Sequence, residues 1–155
     1  MLYVIKWLYL IALIIWVGEV VFFSFVAAPS LFRIFPPAEA GRAVGAIFPT
    51  YYRIGYACGG VLLVGSLVFI RGGALGAWWT VNSLLSAVML AATLYAGTVI
   101  LPRATVLRPQ IHGAEAPQDV KDEFQRLHGL AVTLNGAVLM CGLAVSAITA
   151  ASLRP

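Results

Sequence analysis

The stretch that decides the fold is residues 7–28, WLYLIALIIWVGEVVFFSFVAA, in which Glu19 is the single charged residue. A helix of this length, rising 1.5 Å per residue, crosses the roughly 30 Å of hydrocarbon in a bilayer. Three further runs, residues 54–70, 74–101 and 129–153, contain no charged residue at all. We therefore predict an all-α integral membrane protein in which four spans form a helix bundle.

The composition excludes a soluble globular domain. Hydrophobic residues make up 61% of the 155 residues and charged residues 10%, against about 25% charged residues in a typical soluble domain. The two cysteines, Cys58 and Cys141, lie inside apolar runs, so a disulfide framework is not expected. The sequence predicts a single transmembrane domain over residues 1–155, with spans at about 5–28, 51–70, 76–101 and 127–151.

The positions of the basic residues predict an orientation. With four spans, Lys6, Arg71 and Arg154 lie at the end of the bundle that holds both termini. Seven basic residues lie at the other end: Arg33, Arg42, Arg53, Arg103, Arg108, Lys121 and Arg126. Because basic residues favour the cytoplasmic side, we expect both termini outside the plasma (inner) membrane of a bacterium. These residues flank spans that contact the lipid bilayer, so no nucleic-acid partner is expected.

The connection between the first two spans contains a short amphipathic segment. Pro37 suits the first position of a helix, Glu39 favours its first turn, and the apolar residues that follow recur at helical spacing. We predict a short amphipathic interfacial helix here, broken or kinked before the second span at Pro49. The adjacent Tyr51 and Tyr52 are typical of an interfacial aromatic belt.

Other connections differ in character. Gly72 and Gly73 predict a tight turn between the second and third spans. Residues 104–120 lack periodicity and predict an irregular loop, after which a helix should begin near Gln118 and continue into the fourth span. Asn82, close to the start of the third span, is expected to be an interfacial amide.

Polar residues inside the spans point to a cluster. A charge in a membrane helix costs about 2.5 to 3.5 kcal/mol on insertion scales, so it needs a partner or a function. Glu19 follows Trp16 on or beside a stripe that should face the bundle, and His128 and Asn135 lie seven residues apart on one face of the fourth span. We predict a polar intramembrane cluster of Glu19, Arg53, His128 and Asn135.

Three interpretations of this cluster stay open: interhelical pairing that fixes the packing, a site for a solute, proton or ion, and an interface to another subunit. His128 is the one weak candidate for a metal ligand, because no second ligand stands at a suitable spacing. No cofactor is predicted, and haem and copper are disfavoured. The sequence has no phosphate loop, no nucleophile elbow and no catalytic pair of carboxylates, so no enzyme activity is expected.

Five short motifs resemble the transmembrane protein 205-like family. They are residues 16–18 (WVG), 25–32 (FVAAPSLF), 47–52 (IFPTYY), 101–105 (LPRAT) and 124–130 (FQRLHGL), followed by Asn135. The resemblance implies a four-span membrane protein of poorly defined biochemistry, distantly similar to copper-resistance-type membrane families. It makes Trp16, Pro49, Pro102, Arg103, His128 and Asn135 motif positions. Where family members have a histidine on the first helix this chain has Tyr9, which disfavours a site with two histidines.

Two functions follow as expectations. In the first, the protein handles or passes a small solute or a metal species through the polar cluster. In the second, it is an accessory, structural subunit of a larger membrane complex, or a homo-oligomer, with no site of its own. Its small size and the scarcity of residues outside the spans suit both functions.

The orientation predicts a labelling pattern. In a variant without Cys58 and Cys141, a single cysteine placed in residues 104–120 should resist an impermeant thiol reagent added to intact cells, because that loop is expected to face the cytoplasm. Permeabilised cells supply the control, in which the same cysteine should react. Rapid labelling of intact cells would reverse the predicted orientation.

Overall fold

The computed structural model describes residues 2–71, 76–112 and 117–152, and the elements found there are all helical. In chain order they are α1 (Leu2–Phe22), a π turn (Phe23–Ala27), α2 (Ala28–Ile34), α3 (Pro37–Arg71), α4 (Gly76–Tyr95), a second π turn (Ala96–Ile100), α5 (Leu101–Leu107), a 3-10 turn (Gln110–His112) and α6 (Gln118–Ser152). The first three elements run on as one helix, as do α4, the second π turn and α5.

Four helices are long and apolar enough to cross a membrane: Leu2–Ile34, Pro37–Arg71, Ala77–Leu107 and Gln118–Ser152. The predicted all-α four-helix membrane bundle is confirmed, and the protein is an integral membrane protein. We call the end of the bundle with the helix ends Leu2, Arg71 and Ser152 the terminal end, and the opposite end the connection end. The tight turn predicted at Gly72 and Gly73 lies outside the described residues.

Each span turns large apolar side chains outward. Ile14, Val64, Leu84 and Met140, one from each span, are between 61% and 70% exposed. In water such surfaces would aggregate, whereas in a bilayer they contact lipid tails of the same polarity. The outward faces therefore fit hydrocarbon as the surrounding solvent on all four sides of the bundle.

Close packing between α1 and α3 depends on glycines. Trp16 is 1% exposed, and its ring lies against Gly55 and Gly59, where an added Cβ would come within 3.1 Å and 2.9 Å of it. Tyr9 lies in the same way against Gly65, at 2.9 Å. In lipid the helices gain little from the hydrophobic effect, so contact at this distance is what holds them together. The Gly-x-x-x-Gly step thus serves packing within the chain.

Both π turns precede a proline. Ala28 N–H donates to the Phe23 carbonyl, five residues back, one residue before Pro29. Leu101 N–H donates to the Ala96 carbonyl in the same way, one residue before Pro102. A proline lacks the N–H for its i−4 carbonyl and its ring clashes with that carbonyl, and a wider turn relieves the clash. The first and third spans share this device at the same end of the bundle.

The amphipathic segment from Pro37 is present but is not a separate helix. It forms the first turns of α3, which continues through Pro49 to Arg71. Tyr51 and Tyr52 are 6% and 8% exposed, so the expectation of an interfacial belt is wrong for both. They pack inside the bundle because the helix does not turn at Pro49. Tyr51 contacts Phe23 of the first span and Asn135 of α6, and Tyr52 packs against Gly97 of the third span.

The loop predicted over residues 104–120 is shorter than expected. Helix α5 continues to Leu107, a 3-10 turn covers Gln110–His112, and α6 begins at Gln118 as predicted. Residues 113–116 lie outside the described part. The polar residues of this segment do not show in the sequence where the helix ends. In the structure, Arg108 N–H donates to the Ala104 carbonyl at 3.0 Å and extends the last turn.

Asn82 is not an interfacial amide, because it is fully buried and its Nδ2 donates to Thr149 Oγ1 at 3.1 Å. Around it, buried hydroxyl groups converge from all four spans: Tyr9, Ser66, Ser86 and Thr149. Trp79 is also buried, with its ring 4.4 Å from that of Phe69. The terminal half of the bundle therefore combines a polar centre with aromatic packing.

Adjacent glycines of α3 test this packing. Gly59→Ala should lower the free energy of unfolding by about 1 to 3 kcal/mol, because the new methyl group would overlap both Trp16 and Leu90. Gly60 has open space around it, so Gly60→Ala should stay within about 1 kcal/mol of wild type. Denaturation in mixed detergent micelles measures both variants. Equal stabilities would contradict the glycine-dependent contact.

Candidate functional site

A cavity of about 620 Å³ lies at the connection end of the bundle. Its walls come from the end of the first span, the first half of α3, the segment after α5 and the first half of α6. The lining side chains are Phe23, Ser24, Ala28, Pro29, Phe32, Pro37, Gly41, Val44, Phe48, Tyr51, Tyr52, Arg108, Ile111, Phe124, His128, Ala131, Val132 and Asn135. A volume of this size lies inside the usual range of small-molecule sites, about 300 to 1,000 Å³. We call it the connection-end cavity.

The inner part of the cavity is held by a chain of hydrogen bonds across three spans. Tyr51 Oη donates to Asn135 Oδ1 at 2.5 Å, and Asn135 Nδ2 donates to Ser24 Oγ at 2.9 Å. Ser24 lies in the first π turn, where the wider helix geometry precedes Pro29. The amide thus fixes the relative positions of the first span, α3 and α6 at this depth.

Aromatic rings form one wall. Phe23 lies 5.3 Å from Phe48 and 5.1 Å from Tyr51 between ring centroids, and Phe48 stacks on Tyr52 at 5.8 Å. Such rings offer a large rigid apolar surface with hydroxyl groups at defined points. Tyr52 in turn packs against Gly97 of the second π turn, where a Cβ would lie 2.8 Å from its ring.

Arg108 brings a positive charge to the cavity from the segment after α5. Its guanidinium lies against Gly45 of α3, in the space that a Cβ would fill. Within residues 2–71, 76–112 and 117–152 it has no ion pair and no hydrogen bond. Burial lowers the pKa of the guanidinium, because a half-buried cation is less well solvated. An arginine nevertheless remains charged at any physiological pH.

His128 of α6 lines the same cavity. Its ring stacks parallel to Phe124, one turn earlier, with centroids 6.4 Å apart and an interplanar angle of 3°. Neutral imidazole has one N–H donor and one acceptor nitrogen, so it is able to bind a polar group in the cavity in either protonation state. His128 and Asn135 thus share one cavity, at levels about 10 Å apart along α6.

Glu19 and Arg53 do not line the cavity. One carboxylate oxygen of Glu19 is buried without a hydrogen-bond partner in the described part of the chain. The carboxylate is close enough to Tyr51 and Cys58 on α3 to interact with them electrostatically. Arg53 is exposed and forms no ion pair with Glu19. The structure therefore brings two of the four predicted cluster residues, His128 and Asn135, together in the cavity. Glu19 lies outside it, near Tyr51, whose hydroxyl donates to Asn135.

The donor set of the cavity does not suit a metal ion. In the part of the chain that the structure describes, its lining includes one imidazole and no thiol or carboxylate, and no three His, Cys, Asp or Glu side chains come together there. Cys58 and Cys141 are free thiols on different spans. The residues present are better suited to hydrogen bonding and charge pairing with an organic group than to coordination of a metal.

Four of the motif positions named in the sequence analysis lie in the helices away from the cavity. Trp16 packs on the α3 glycines, Pro49 lies inside α3, and Pro102 follows the second π turn. Arg103 is exposed on α5. None of the four lines the cavity.

Sequence reasoning missed Arg108 and Gly45. Arg108 was counted only for its charge in a supposed loop, and Gly45 was one helical residue among several. The pairing between them joins positions far apart in sequence, and no local pattern signals it. Ser24 was also missed, although the nearby Pro29 marks a disturbed helix in which a side-chain hydroxyl is useful.

Glu19 offers a test of the interpretation that the polar cluster serves interhelical pairing. Glu19→Gln should raise the free energy of unfolding by up to about 2 kcal/mol, because it removes a charge that has no partner among the described residues. The exposed Glu123→Gln serves as control and should change it by less than about 0.5 kcal/mol. Denaturation in mixed micelles measures both. A loss of about 1 kcal/mol or more in Glu19→Gln would show that Glu19 is paired.

Comparison with known proteins adds a family but no activity. Residues 11–113 match the family described as "Domain of unknown function (DUF4149)". The chain is also similar to an uncharacterized protein of Aquifex aeolicus (strain VF5), 29% identical over 122 residues, which covers 79% of this chain and 79% of the relative. No solved structure matches the chain. Since the family match covers more than half of the sequence and includes most of the residues around the cavity, the chain belongs to the DUF4149 family of domains of unknown function.

Proposed function

We propose that this membrane protein is not an enzyme and binds a small organic solute in the connection-end cavity, to hold it or to pass it on. The observation that carries the proposal is the cavity itself, about 620 Å³ in volume. At roughly 30 Å³ per water molecule it would otherwise hold about twenty waters among largely apolar walls. A space of this kind favours an organic occupant.

The polar groups of the cavity fall into two sets. Tyr51, Asn135 and Ser24 are bonded to one another and serve as a fixed inner wall. The side chains of Arg108 and His128 form no hydrogen bond within the described chain and are available to a solute. This division supports binding, in which a rigid frame presents a few free groups, over catalysis, for which the lining offers no nucleophile activated by a base.

The membrane and the orientation remain part of the proposal. We place the protein in the plasma membrane of a bacterium with both termini outside, on the charge distribution alone. In that orientation the connection-end cavity opens on the cytoplasmic side. A closer relation to the transmembrane protein 205-like family is also a proposal, which rests on the short motifs given above.

The accessory subunit is the second candidate function. It is supported by a groove of about 350 Å³ on the outer surface between α1 and α6, where Gly18, Ser146 and Ala150 leave room for another helix. In this case a larger membrane complex or a second copy of the chain would cover the groove, and the cavity would have no solute.

Filling the cavity tests the first candidate. Ala131 lines it on α6, and Ala131→Trp should remove most of the free volume. Ala137 lies on the exposed side of the same helix, so Ala137→Trp adds the same ring outside the cavity. Native mass spectrometry of protein released from native lipid particles measures the bound species. We expect a retained small molecule in wild type and Ala137→Trp and its loss in Ala131→Trp.

The same spectra distinguish the second candidate. A stoichiometric protein partner without any small molecule would contradict solute binding and favour the accessory subunit. Equal retention of the small molecule by both tryptophan variants would place its site outside the cavity and would also contradict the proposal. Monodisperse elution of both variants from a sizing column is the folding control.

A further inference from the structure

We propose that the solute is an amphipathic anion, a molecule with one apolar chain and a carboxylate or phosphate head group that pairs with Arg108. This inference rests on the proposed function and names the chemical class of its ligand. It is argued from the charge, the shape and the walls of the connection-end cavity.

The charge of the cavity is not balanced. Among the described residues that line it, Arg108 is the one with a cationic side chain, and none carries a carboxylate. The guanidinium is half-buried and unpaired in the described chain, so part of its hydration is lost and no opposite charge replaces it. An anion bound inside the cavity supplies that partner, and the planar guanidinium favours a carboxylate or phosphate in a bidentate geometry.

Gly45 holds the guanidinium without using its charge. The terminal atoms of Arg108 occupy the space that any other residue's Cβ would take. The side chain is therefore oriented by shape alone, and its donors stay free for a ligand.

The walls suit a hydrocarbon chain. The apolar lining residues include Phe23, Phe32, Phe48, Phe124 and Val132. From Phe124 to Asn135 the α6 wall is about 16 Å long at 1.5 Å per residue. Phe32 and Val132 are also more than half exposed, so the cavity opens sideways toward the surrounding lipid, from which an acyl chain can enter.

His128 adds a second polar contact. It lies on the cavity wall seven residues before Asn135, outside the hydrogen-bonded set of Tyr51, Asn135 and Ser24. Its imidazole forms no hydrogen bond in the described chain. An imidazole nitrogen is able to donate to the same anionic head group that pairs with Arg108. Both free donors of the cavity therefore serve a head group, while the deeper Tyr51–Asn135 pair closes the apolar part.

The experiment compares oleate with methyl oleate, its uncharged ester. Each is titrated onto the purified chain in the non-ionic detergent dodecyl maltoside, and native mass spectrometry measures the bound fraction. We expect wild type to bind oleate at least about tenfold more tightly than methyl oleate, and Arg108→Gln to lose about tenfold in oleate affinity. Arg42→Gln removes an exposed positive charge outside the cavity and should bind as wild type does.

A second pair of variants keeps the positive charge of Arg108 and replaces glycines in a helix, where alanine is the better helix former. Gly45→Ala favours the helix, yet its methyl group displaces the guanidinium. We expect weaker oleate binding by Gly45→Ala. Gly60→Ala, which has open space around it on the same helix, should bind oleate as wild type does. Equal oleate affinities in the two alanine variants would show that Gly45 does not position the guanidinium for the ligand, and would overturn the inference.

The outcomes separate this inference from the proposed function. If oleate and methyl oleate bind equally and Ala131→Trp blocks both, the cavity binds a solute but the inference of an anion fails. If Ala131→Trp blocks neither, both the inference and the proposed function fail. An added titration with 1-oleoyl lysophosphatidate identifies the source. Tighter binding than oleate supports a lipid phosphate head, and weaker binding supports a free fatty acid.

Discussion

Every backbone N–H and C=O group inside the hydrocarbon needs a partner within the protein, and the rest of this structure depends on that constraint. Helices satisfy it from one residue to the next, which is why four apolar runs become four long helices. Prolines are the exceptions, and Pro29, Pro49 and Pro102 all lie in the connection half of their spans. Two of them follow π turns. The irregular half of the bundle is therefore also the half that contains the cavity.

The two polar networks of the bundle have different physical roles. At the terminal end, Asn82 and Thr149 bond to each other and are buried between the helices, so they fix helix positions. At the connection end, the Tyr51–Asn135–Ser24 chain is only partly buried and borders the cavity. The same kind of interhelical bond thus serves packing in one half and frames an open volume in the other. Enclosure, more than residue type, distinguishes the two.

The sequence predicted features that depend on composition and on spacing within one helix. Four spans follow from hydropathy, and the shared face of His128 and Asn135 follows from a seven-residue interval; both lie in the connection-end cavity. Glu19 was predicted to face the bundle, and it does approach α3, but within the described chain it forms no ion pair with Arg53 and does not line the cavity with His128 and Asn135. Asn82 was misplaced because depth was judged from its distance to the helix end. The direction of its side chain depends on how the neighbouring helices pack against the third span, and the sequence alone does not show that packing.

The contact between the Arg108 guanidinium and Gly45 is a feature that no local sequence pattern predicts. It needs a glycine on α3, an arginine after α5 and a helix that continues through Pro49, and only the packed bundle brings these together. Neutral elements hold a cation at this site, where an acidic partner is the commoner solution. Within the described residues, this arrangement leaves the charge without an opposite charge at the edge of an apolar volume. Under the proposed function, an anion that enters the cavity supplies the missing opposite charge, and the apolar walls of the cavity take up the rest of the molecule.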